Sequence, residues 1–509
     1  MTGLRDATLP WPPESELERL RRYEQGRLLY NGDHERVFVS SNAFKFTYDR
    51  GREYVYANLC GALTDLLSSR LFGEECSVHA PDELPAVQEF FEHLESSNRM
   101  DALNMLAAVG ASYRGDCFYK VWYDAASERV RIGLVDPASC VVTLDALDAT
   151  RMWRCTIGQV LRDAEGLPYL WQEAHELRGS DGWVVNMLYR AREERGGDIR
   201  YDPDKDRVAL TTLPQTASLP DEVATGVDAL LVIHVPNKVA DEGSFWGVSD
   251  YAGLLGVQGE LNHRLTQRAE VQDKFVDPIM YGPDRGDEHG EIRLRGGTYI
   301  TVGDGEAVPG ALIWDPSMAA VEAELKELRE LFAATAGIDM AALLPPDGGA
   351  PASGRAIRLS QMRTQTVVRA KQRMFGPALQ QVFSVATKLA TREGVVLRWQ
   401  PTEGELVPVQ PEDIAVYFND GLPSDRTEDI ADQAAMIEAG VQSKLAAIKE
   451  LHGVDDESAR AILAEIAGDA PALSNPLGAG SRFSTVLPTS GRAVTTAPTE
   501  PALGEGIAE

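Results

Sequence analysis

The chain has 509 residues, of which 78 are acidic and 49 are basic, so its net charge at pH 7 is −29. This balance argues against a protein that simply coats nucleic acid, because phosphate binding depends mainly on Lys and Arg. Hydrophobic residues make up 44% of the chain and charged residues 25%, values that are typical of folded globular proteins and exclude wholesale disorder.

The sequence predicts neither a targeting segment nor a disulfide framework. The residues before Pro10 lack a basic segment followed by an apolar one, and apolar runs such as 229–233 are far too short to span a bilayer. The five cysteines are odd in number and form no CxxC pair, which argues against disulfides and a zinc site. We therefore expect a soluble protein made inside a cell, with no membrane partner and no metal.

The common enzyme signatures are missing from the sequence. There is no glycine loop ending in Gly-Lys-Ser/Thr, and His175-Glu176 is not followed by a second histidine at helical spacing. The alternating aspartates at 202–206 resemble the start of a calcium loop, but Arg207 occupies the position of the required glycine. A solvated turn is the preferred interpretation of that segment. We expect no catalytic residue and no cofactor, so the protein is predicted not to be an enzyme.

The first half of the chain predicts helices followed by strands. Apolar periodicity predicts helices over residues 14–30, 52–71 and 83–110. From residue 116 to 235 the pattern changes to short alternating runs separated by Gly, Pro and Asp, which predicts a β-rich region. Together these patterns indicate an α+β fold.

A long helix is predicted from Ser249 to Asp277, where the next residue is a proline. Its first part contains three glycines, each of which lowers helix stability by up to about 1 kcal/mol relative to Ala: Gly253, Gly256 and Gly259. Either a neighbouring backbone approaches them closely, or the helix begins near Glu260. The sequence leaves both explanations open.

A strand-rich insertion and a second helix follow. Strands are predicted within the insertion at 291–295, 298–302 and 311–314. The second helix, capped by Ser317, carries an apolar stripe formed by Val321, Leu325, Leu328 and Phe332. One helix cannot bury this stripe alone. We expect it to pack on the preceding long helix, from the same copy or the next.

The segment 338–353 is rich in Pro and Gly, and a loop of this length is uncommon unless it is functional or disordered. Ser353 is predicted to cap a helix that reaches Arg392. Residues 353–377 contain six basic and no acidic side chains, and four of these would form one stripe of a continuous helix: Arg355, Arg358, Arg369 and Arg373. One interpretation is that the stripe contacts nucleic acid or an acidic neighbour. The other is that it is a solvated face whose charge balances acidic residues of the same fold.

The C-terminal part predicts a strand at 416–418 and helices over 423–451 and 455–466. From residue 470 onward the composition is dominated by Pro, Ala, Gly, Ser and Thr, which is typical of a disordered tail.

Four stretches in this order carry a family resemblance. The first comprises Tyr30-Asn31-Gly32-Asp33 with the helix around Asn58-Leu59-Cys60. The second comprises His234-Val235-Pro236-Asn237, Trp246-Gly247-Val248-Ser249-Asp250 and Glu260-Leu261-Asn262. The third is Ser353-Gly354-Arg355-Ala356. The last runs from Phe418-Asn419-Asp420-Gly421-Leu422-Pro423 to Leu451-His452-Gly453-Val454-Asp455-Asp456. With these motifs the chain resembles the portal proteins of tailed bacteriophages, in the branch similar to the phage SPP1 portal.

The resemblance implies a subunit with a β-rich wing, a two-helix stem, a small α/β clip, a long wing helix and a helical crown. Its implied divisions are the wing at 1–248 and 354–420, stem helices at 249–277 and 317–336, the clip at 278–316, a tunnel loop at 337–353, the crown at 421–469 and the tail at 470–509. In the tunnel loop, the residues implied to lie nearest DNA are Leu343, Leu344 and Asp347. The basic stripe is then expected to contact the neighbouring subunit more than DNA.

The resemblance also implies partners and a location. Twelve copies would form a ring at one vertex of the capsid, through which double-stranded DNA passes during packaging and ejection. Terminase large subunit, a head-tail adaptor and the major capsid or scaffolding protein would bind the ring, which is assembled in the host cytoplasm and ends in the virion. A net negative charge suits such a conduit, because it lets a polyanion slide.

Two other classes remain as alternatives. A packaging enzyme would need a phosphate loop or a metal-binding carboxylate cluster, and the sequence shows neither. Another structural virion protein, such as a minor capsid or scaffolding protein, is the second alternative. The β-rich region at 116–235 argues against a scaffold, because scaffolds are mainly helical.

Overall fold

The computed structural model describes residues 8–39, 54–73, 76–194, 197–239, 241, 243–276, 279–283, 293–294, 297–302, 310–312, 318–343, 361–419, 426–452 and 456–469. The chain divides into two compact units, residues 1–424 and 425–509. Helices and antiparallel sheets share the first unit, which confirms the predicted α+β class.

The described residues before the main strands form the α-helices α1 (Leu17–Tyr30), α2 (His34–Phe38), α3 (Leu59–Phe72), α4 (Pro85–Asn98) and α5 (Met100–Arg114). The prediction of a helix from residue 52 was wrong at its start. Asn58 is the N-cap of α3, and its side chain accepts a hydrogen bond from the Gly61 N–H at 2.9 Å. The single helix predicted over 83–110 is two helices, because Arg99 adopts a left-handed conformation with φ 54° and ψ 53°.

Residues 116–236 form the predicted β-rich region. One sheet contains β3 (Asp116–Asp124), β4 (Arg129–Val135) and β13 (Val232–Pro236), in the order β13-β3-β4. A larger antiparallel sheet contains β5 (Cys140–Leu144), β6 (Met152–Arg162), β7 (Pro168–Arg178), β8 (Asp181–Arg190), β11 (Arg207–Val208) and β12 (Glu222–Ala224). Its strand order is β11-β8-β7-β6-β5, and β12 also pairs with β8.

Two small sheets join distant parts of the chain. Strands β1 (Leu9–Trp11), β10 (Ile199–Tyr201) and β9 (Arg192–Glu193) pair in the order β1-β10-β9. Strand β2 (Ser77–His79) pairs antiparallel with β18 (Ala415–Tyr417), close to the strand predicted at 416–418.

The long helix after the β-rich region, α6, spans Leu255–Val276. It begins neither at Ser249 nor near Glu260. Gly253 precedes it with φ 81°, and no heavy atom lies within 4 Å of a Cβ placed on Gly256. Close approach of a backbone therefore does not explain Gly256, which lies in the first turn of the helix.

The described residues between the two long helices are strands. They are β14 (Ile279–Pro283), β15 (Arg293–Leu294), β16 (Gly297–Val302) and β17 (Gly310–Leu312), in the order β15-β16-β14-β17. Strand β14, which pairs parallel with β16 and antiparallel with β17, was not predicted. The second long helix, α7, spans Met318–Ala336, and its predicted cap Ser317 lies outside the described residues.

The described residues of the first unit after α7 include two further helices, α8 (Met340–Leu343) and α9 (Met362–Ala390). The prediction that one helix runs from Ser353 to Arg392 was wrong at its start, because Gln361 is the N-cap of α9. Asp339 provides acceptors for backbone N–H groups that have no partner within the first turn of α9. Its carboxylate accepts hydrogen bonds from the N–H groups of Arg363 and Thr364 at 3.0 and 3.2 Å.

The main hydrophobic core of the first unit joins helices to the β3–β4 sheet. Its fully buried aromatic side chains include Phe91 and Phe383, whose rings pack edge to face with centroids 4.9 Å apart. Residues of α3, α5, α6, α7 and α9 belong to this same core, so both long helices are rooted in one packed body.

The described residues of the second unit form the helices α10 (Arg426–Glu438), α11 (Lys444–His452) and α12 (Asp456–Asp469). The helical region predicted over 423–451 is therefore interrupted, and Gly440 has φ 70° in the break. Ala447 and Ala459 are buried in this unit. The predicted tail from residue 470 lies outside the described residues.

Candidate functional site

Helices α6 and α7 pack against each other within one chain. Of the predicted stripe on α7, Leu325 and Phe332 are buried, with 2% and 0% of their surface exposed. Val321 and Leu328 are half-buried and pack on the same core. On α6, Leu261 is buried and belongs to the same core. The apolar stripe is thus covered inside the subunit.

An ion pair also links the two long helices. The Arg264 guanidinium lies 2.8 Å from the Glu260 carboxylate on the same helix and 2.9 Å from the Glu324 carboxylate on α7. All three side chains are about one-third exposed or more. Because solvent screens such pairs, this contact adds little to the stability of the helix packing.

A row of polar side chains on α6 clamps the extended segment before α3. Gln258, Asn262 and Thr266 follow each other at a spacing of four, so they share one side of the helix. The Gln258 side chain donates to the Ala57 carbonyl at 2.8 Å. The Thr266 hydroxyl accepts from the Val55 N–H and donates to the Val55 carbonyl, both at 3.1 Å. These bonds mimic the pairing of a neighbouring strand.

His34 completes this clamp from the N-terminal side. Its Nε2 lies 3.1 Å from the Asn58 carboxamide oxygen, and its Nδ1 lies 2.9 Å from the Asn262 amide nitrogen. The arrangement requires a neutral ring that donates from Nε2 and accepts at Nδ1. Burial lowers the pKa of His34 below its ordinary value, although Asn58 acts in the opposite direction. The neutral ring is therefore the form that the fold stabilises.

Asp250, just before α6, is the centre of a buried charged cluster. Its carboxylate lies 2.6 Å from the Lys371 ammonium of α9 and 2.8 Å from the Lys238 ammonium. The Ser112 hydroxyl of α5 donates to it at 2.7 Å. Burial alone would raise the pKa of Asp250, but Lys371 and Lys238 hold it well below its ordinary value. The carboxylate is therefore ionised and fully paired.

Lys371 changes the interpretation of the basic segment. The sequence counted it among the six basic residues of 353–377, but its side chain is only 3% exposed. Besides Asp250, it donates to the Asn237 side chain. Asn237 in turn donates to Asp250 at 3.1 Å and to the Val248 carbonyl at 3.0 Å. One cation of the block is thus an internal tie between α9 and the start of α6.

Asp116, at the start of β3, is a second buried hub. It accepts hydrogen bonds from the Tyr23 hydroxyl at 2.5 Å and from the Gly247 N–H at 2.7 Å, and His234 Nε2 lies 2.7 Å away. Burial and the nearby Asp116 carboxylate raise the pKa of Tyr23, so its hydroxyl remains a donor. The hub ties α1, β13 and the segment before α6 to one carboxylate.

Two glycines allow these segments to meet. A Cβ on Gly247 would lie 2.0 Å from the Gly115 carbonyl oxygen, and Gly115 itself has φ 107°. The Gly115 carbonyl accepts a hydrogen bond from the Asn237 N–H at 2.7 Å. Only residues without a side chain fit at both positions.

The basic stripe is only partly within the described residues. Arg369 and Arg373 are exposed on α9, and neither forms an ion pair with another described residue. Arg355 and Arg358 lie outside the described residues. Because α9 begins at Met362, the argument that all four arginines share one continuous helix no longer holds.

The predicted tunnel loop is likewise only partly described. Leu343 ends the short helix α8 and is half-buried against the main core. Leu343 therefore lies in a helix, although the resemblance implies a loop over 337–353. Leu344 and Asp347 lie outside the described residues. Whether any of the three faces DNA stays a prediction.

The rejected metal motifs form ordinary local contacts. The Asp202 carboxylate accepts hydrogen bonds from the backbone N–H groups of Asp204 and Lys205 at 3.1 and 3.3 Å, as in a turn. His175 binds Glu173 at 2.6 Å. Among the residues that the structure describes, no group of three or more His, Cys, Asp or Glu could hold a metal ion, and no helix is long and apolar enough to cross a membrane.

The sequence motifs contain Asp250, Asn237 and His234 but predict none of these contacts, and Asp116 and Lys371 belong to no motif. The spacing of Gln258, Asn262 and Thr266 was the one local signal, since three uncharged polar residues share one side of a helix that needs an apolar face. For Asp250 and Lys371, which are 121 residues apart, no local pattern could have shown the pairing.

Residues 318–472 match the sequence model of a family described as "Phage portal protein, SPP1 Gp6-like". This confirms the predicted resemblance over that part of the chain and supports a phage portal or connector role. A solved structure titled "Neck of native GTA particle computed with C12 symmetry" is 12% identical, over 77% of this chain and 89% of that chain, with a TM-score of 0.39. That score is too low to establish a shared fold. No curated protein matches the chain.

Proposed function

We propose that this chain is the portal subunit of a tailed-phage virion. Copies form a ring, a dodecamer, at one vertex of the capsid, and double-stranded DNA passes through its central channel during packaging and ejection. The observation that carries the proposal is the family match over residues 318–472, which begins at the start of α7 and ends after the last residue of α12.

The anchoring of the long helices supports this role. A portal has to transmit force between DNA and capsid without losing its shape, so its channel helices need a rigid base. Asp250 and Asn262 tie α6 to α9, α5 and the N-terminal helices through buried hydrogen bonds. Buried polar networks that are fully satisfied specify one arrangement of the elements they join.

The divisions implied by the family follow from this proposal. Helices α6 and α7 form the stem, the strands between them belong to the clip, the body with its sheets and α9 forms the wing, and the second unit forms the crown. The clip is the docking site for the terminase large subunit and the head-tail adaptor. The wing faces the major capsid or scaffolding protein. Assembly takes place in the host cytoplasm.

DNA contact is assigned to the end of α8 and to the segment between α8 and α9. Leu343, Leu344 and Asp347 approach DNA with apolar and acidic groups, which gives steric contact with little electrostatic adhesion. A net charge of −29 favours sliding of a polyanion over its capture. The chain itself has no ATPase or nuclease activity in this scheme, so the packaging motor is a separate protein.

Purified protein examined by negative-stain microscopy and light scattering tests the proposal. We expect rings with a central hole and a mass of about twelve subunits. A filament, a closed shell or a stable monomer under all assembly conditions would contradict it and favour the alternative, a different structural virion protein such as a minor capsid or scaffolding protein.

A further inference from the structure

The N-terminal half of α9 has an uncovered basic face. Its exposed residues cover about 120° of the helix at 100° per residue and are Met362, Arg363, Thr366, Arg369, Ala370, Arg373 and Pro377. The charged members are all arginines. Met362 is 60% exposed, so the face also presents apolar surface to solvent. In contrast, Lys371 points inward to Asp250.

Helix α7 has an uncovered face of opposite charge. Three of its exposed residues are acidic and one is basic, and the full set is Ala319, Ala320, Glu322, Ala323, Lys326, Glu327, Glu330, Leu331, Ala334 and Thr335. Leu331 is 49% exposed. Glu327 forms no ion pair with another described residue, and Glu330 has only a loose contact of 3.9 Å with the exposed Lys326. The alanines leave room for a second helix to approach closely.

These faces do not pair with each other inside the subunit. The two helices meet where α7 ends and α9 begins, through the Asp339 carboxylate that caps α9. Beyond that point Arg369 and Arg373 have no acidic partner among the described residues. A basic face and an acidic face on one chain, each with apolar residues among its charges, are suited to contacts between copies.

The symmetry of a ring selects the pairing. In a ring every copy presents one surface to the copy ahead and a different surface to the copy behind. Two identical arginine faces would repel each other, whereas an arginine face and a glutamate face attract. We propose that the Glu327 and Glu330 face of α7 in one copy docks on the Arg369 and Arg373 face of α9 in the next. This inference rests on the proposed function, which supplies the ring.

A charge swap tests the contact. Arg369→Glu with Arg373→Glu places like charges across it, as does Glu327→Arg with Glu330→Arg. We expect each double variant to raise the protein concentration needed for ring assembly by about tenfold or more, measured by size-exclusion chromatography with light scattering. The quadruple variant restores both complementarity and the net charge of the chain, so we expect it to recover ring assembly.

The matched control changes net charge without touching either face. Arg21→Glu with Arg151→Glu alters the charge as much as the arginine pair does, and both residues are exposed elsewhere. It should assemble like the unaltered chain. Circular dichroism establishes that each variant is folded.

The outcomes distinguish failure of the docking contact from failure of the proposed function. Unaltered assembly of either double variant would overturn the inference, as would a folded quadruple variant that stays dissociated. In both cases rings of the unaltered chain would leave the proposed function standing. If the unaltered chain forms no ring at all, the proposed function fails, and the docking contact fails with it.

Discussion

The ammonium group of Lys371 lies 2.6 Å from the carboxylate of Asp250, and both side chains are almost completely buried, at 3% and 1% exposed. The two residues connect the middle of α9 to the turn before α6. A buried charge is tolerated only when it is paired and hydrogen-bonded. This pair has further partners in Asn237, Lys238 and Ser112, which makes the cluster an obligatory part of the subunit.

Removal of one partner should therefore lower the stability of the subunit. We expect Lys371→Met to lower the free energy of unfolding by about 3–5 kcal/mol, because Asp250 would lose its nearest buried cation. Denaturant titration followed by circular dichroism measures the change. The control is Arg27→Met, which removes a pair with Glu24 in which both side chains are about half exposed and should have a much smaller effect. Equal effects of the two substitutions would contradict the role of the buried pair.

The His34 clamp predicts a pH dependence of stability. The pKa of His34 is lowered in the fold, so the unfolded chain binds a proton at a higher pH than the folded chain does. The contribution of the clamp is fully present above the ordinary histidine pKa of 6.5 and is lost as the pH falls below it. We expect the free energy of unfolding to decrease between pH 7 and pH 5.

His34→Gln isolates that effect, because glutamine donates and accepts without titrating. The variant should show a smaller decrease over the same pH range than the unaltered chain. The other histidines, including buried His175, are common to both proteins and cancel in the comparison. Identical pH profiles of the two proteins would show that the protonation of His34 does not cause the decrease in stability.

Substitution of alanine for glycine should change the stability of the subunit in opposite directions at two positions. Gly247→Ala would place a Cβ 2.0 Å from the Gly115 carbonyl oxygen, so the segment that reaches Asp116 has to move and stability should fall. Gly256 lies in the first turn of α6 with nothing within 4 Å of the new Cβ, so Gly256→Ala should stabilise by up to about 1 kcal/mol. Thermal unfolding of both variants checks this, and a stabilising Gly247→Ala would refute the close-contact explanation.

The sequence predicted those features that a local pattern encodes. The apolar stripe on α7 and the alternating runs of the β-rich region follow from periodicity, which is set by the geometry of helices and strands. The boundaries were less accurate, because Arg99 and Gln361 interrupt predicted helices through backbone conformations that their residue types do not signal. Lys371 shows that a local pattern cannot predict the burial of a charged residue. Its charge predicts an exposed side chain, because lysine is rarely buried unless it is paired, and only the fold brings Asp250 next to it.

The last prediction concerns the segment between α8 and α9, which the proposed function places next to DNA. Its two ends are fixed, because Leu343 packs on the core and the first turn of α9 is held by Asp339. Shortening the middle should therefore leave both helices in place. We expect deletion of residues 345–350 to preserve rings in negative stain and to reduce the DNA retained in filled particles, measured by the DNA content of particles purified from an infection with the variant. Deletion of the tail residues 490–495 is the control for loss of six residues and should retain normal DNA. If the 345–350 deletion packages full-length DNA at normal yield, the segment is only a connector, because a part that grips DNA cannot lose a third of its length without consequence.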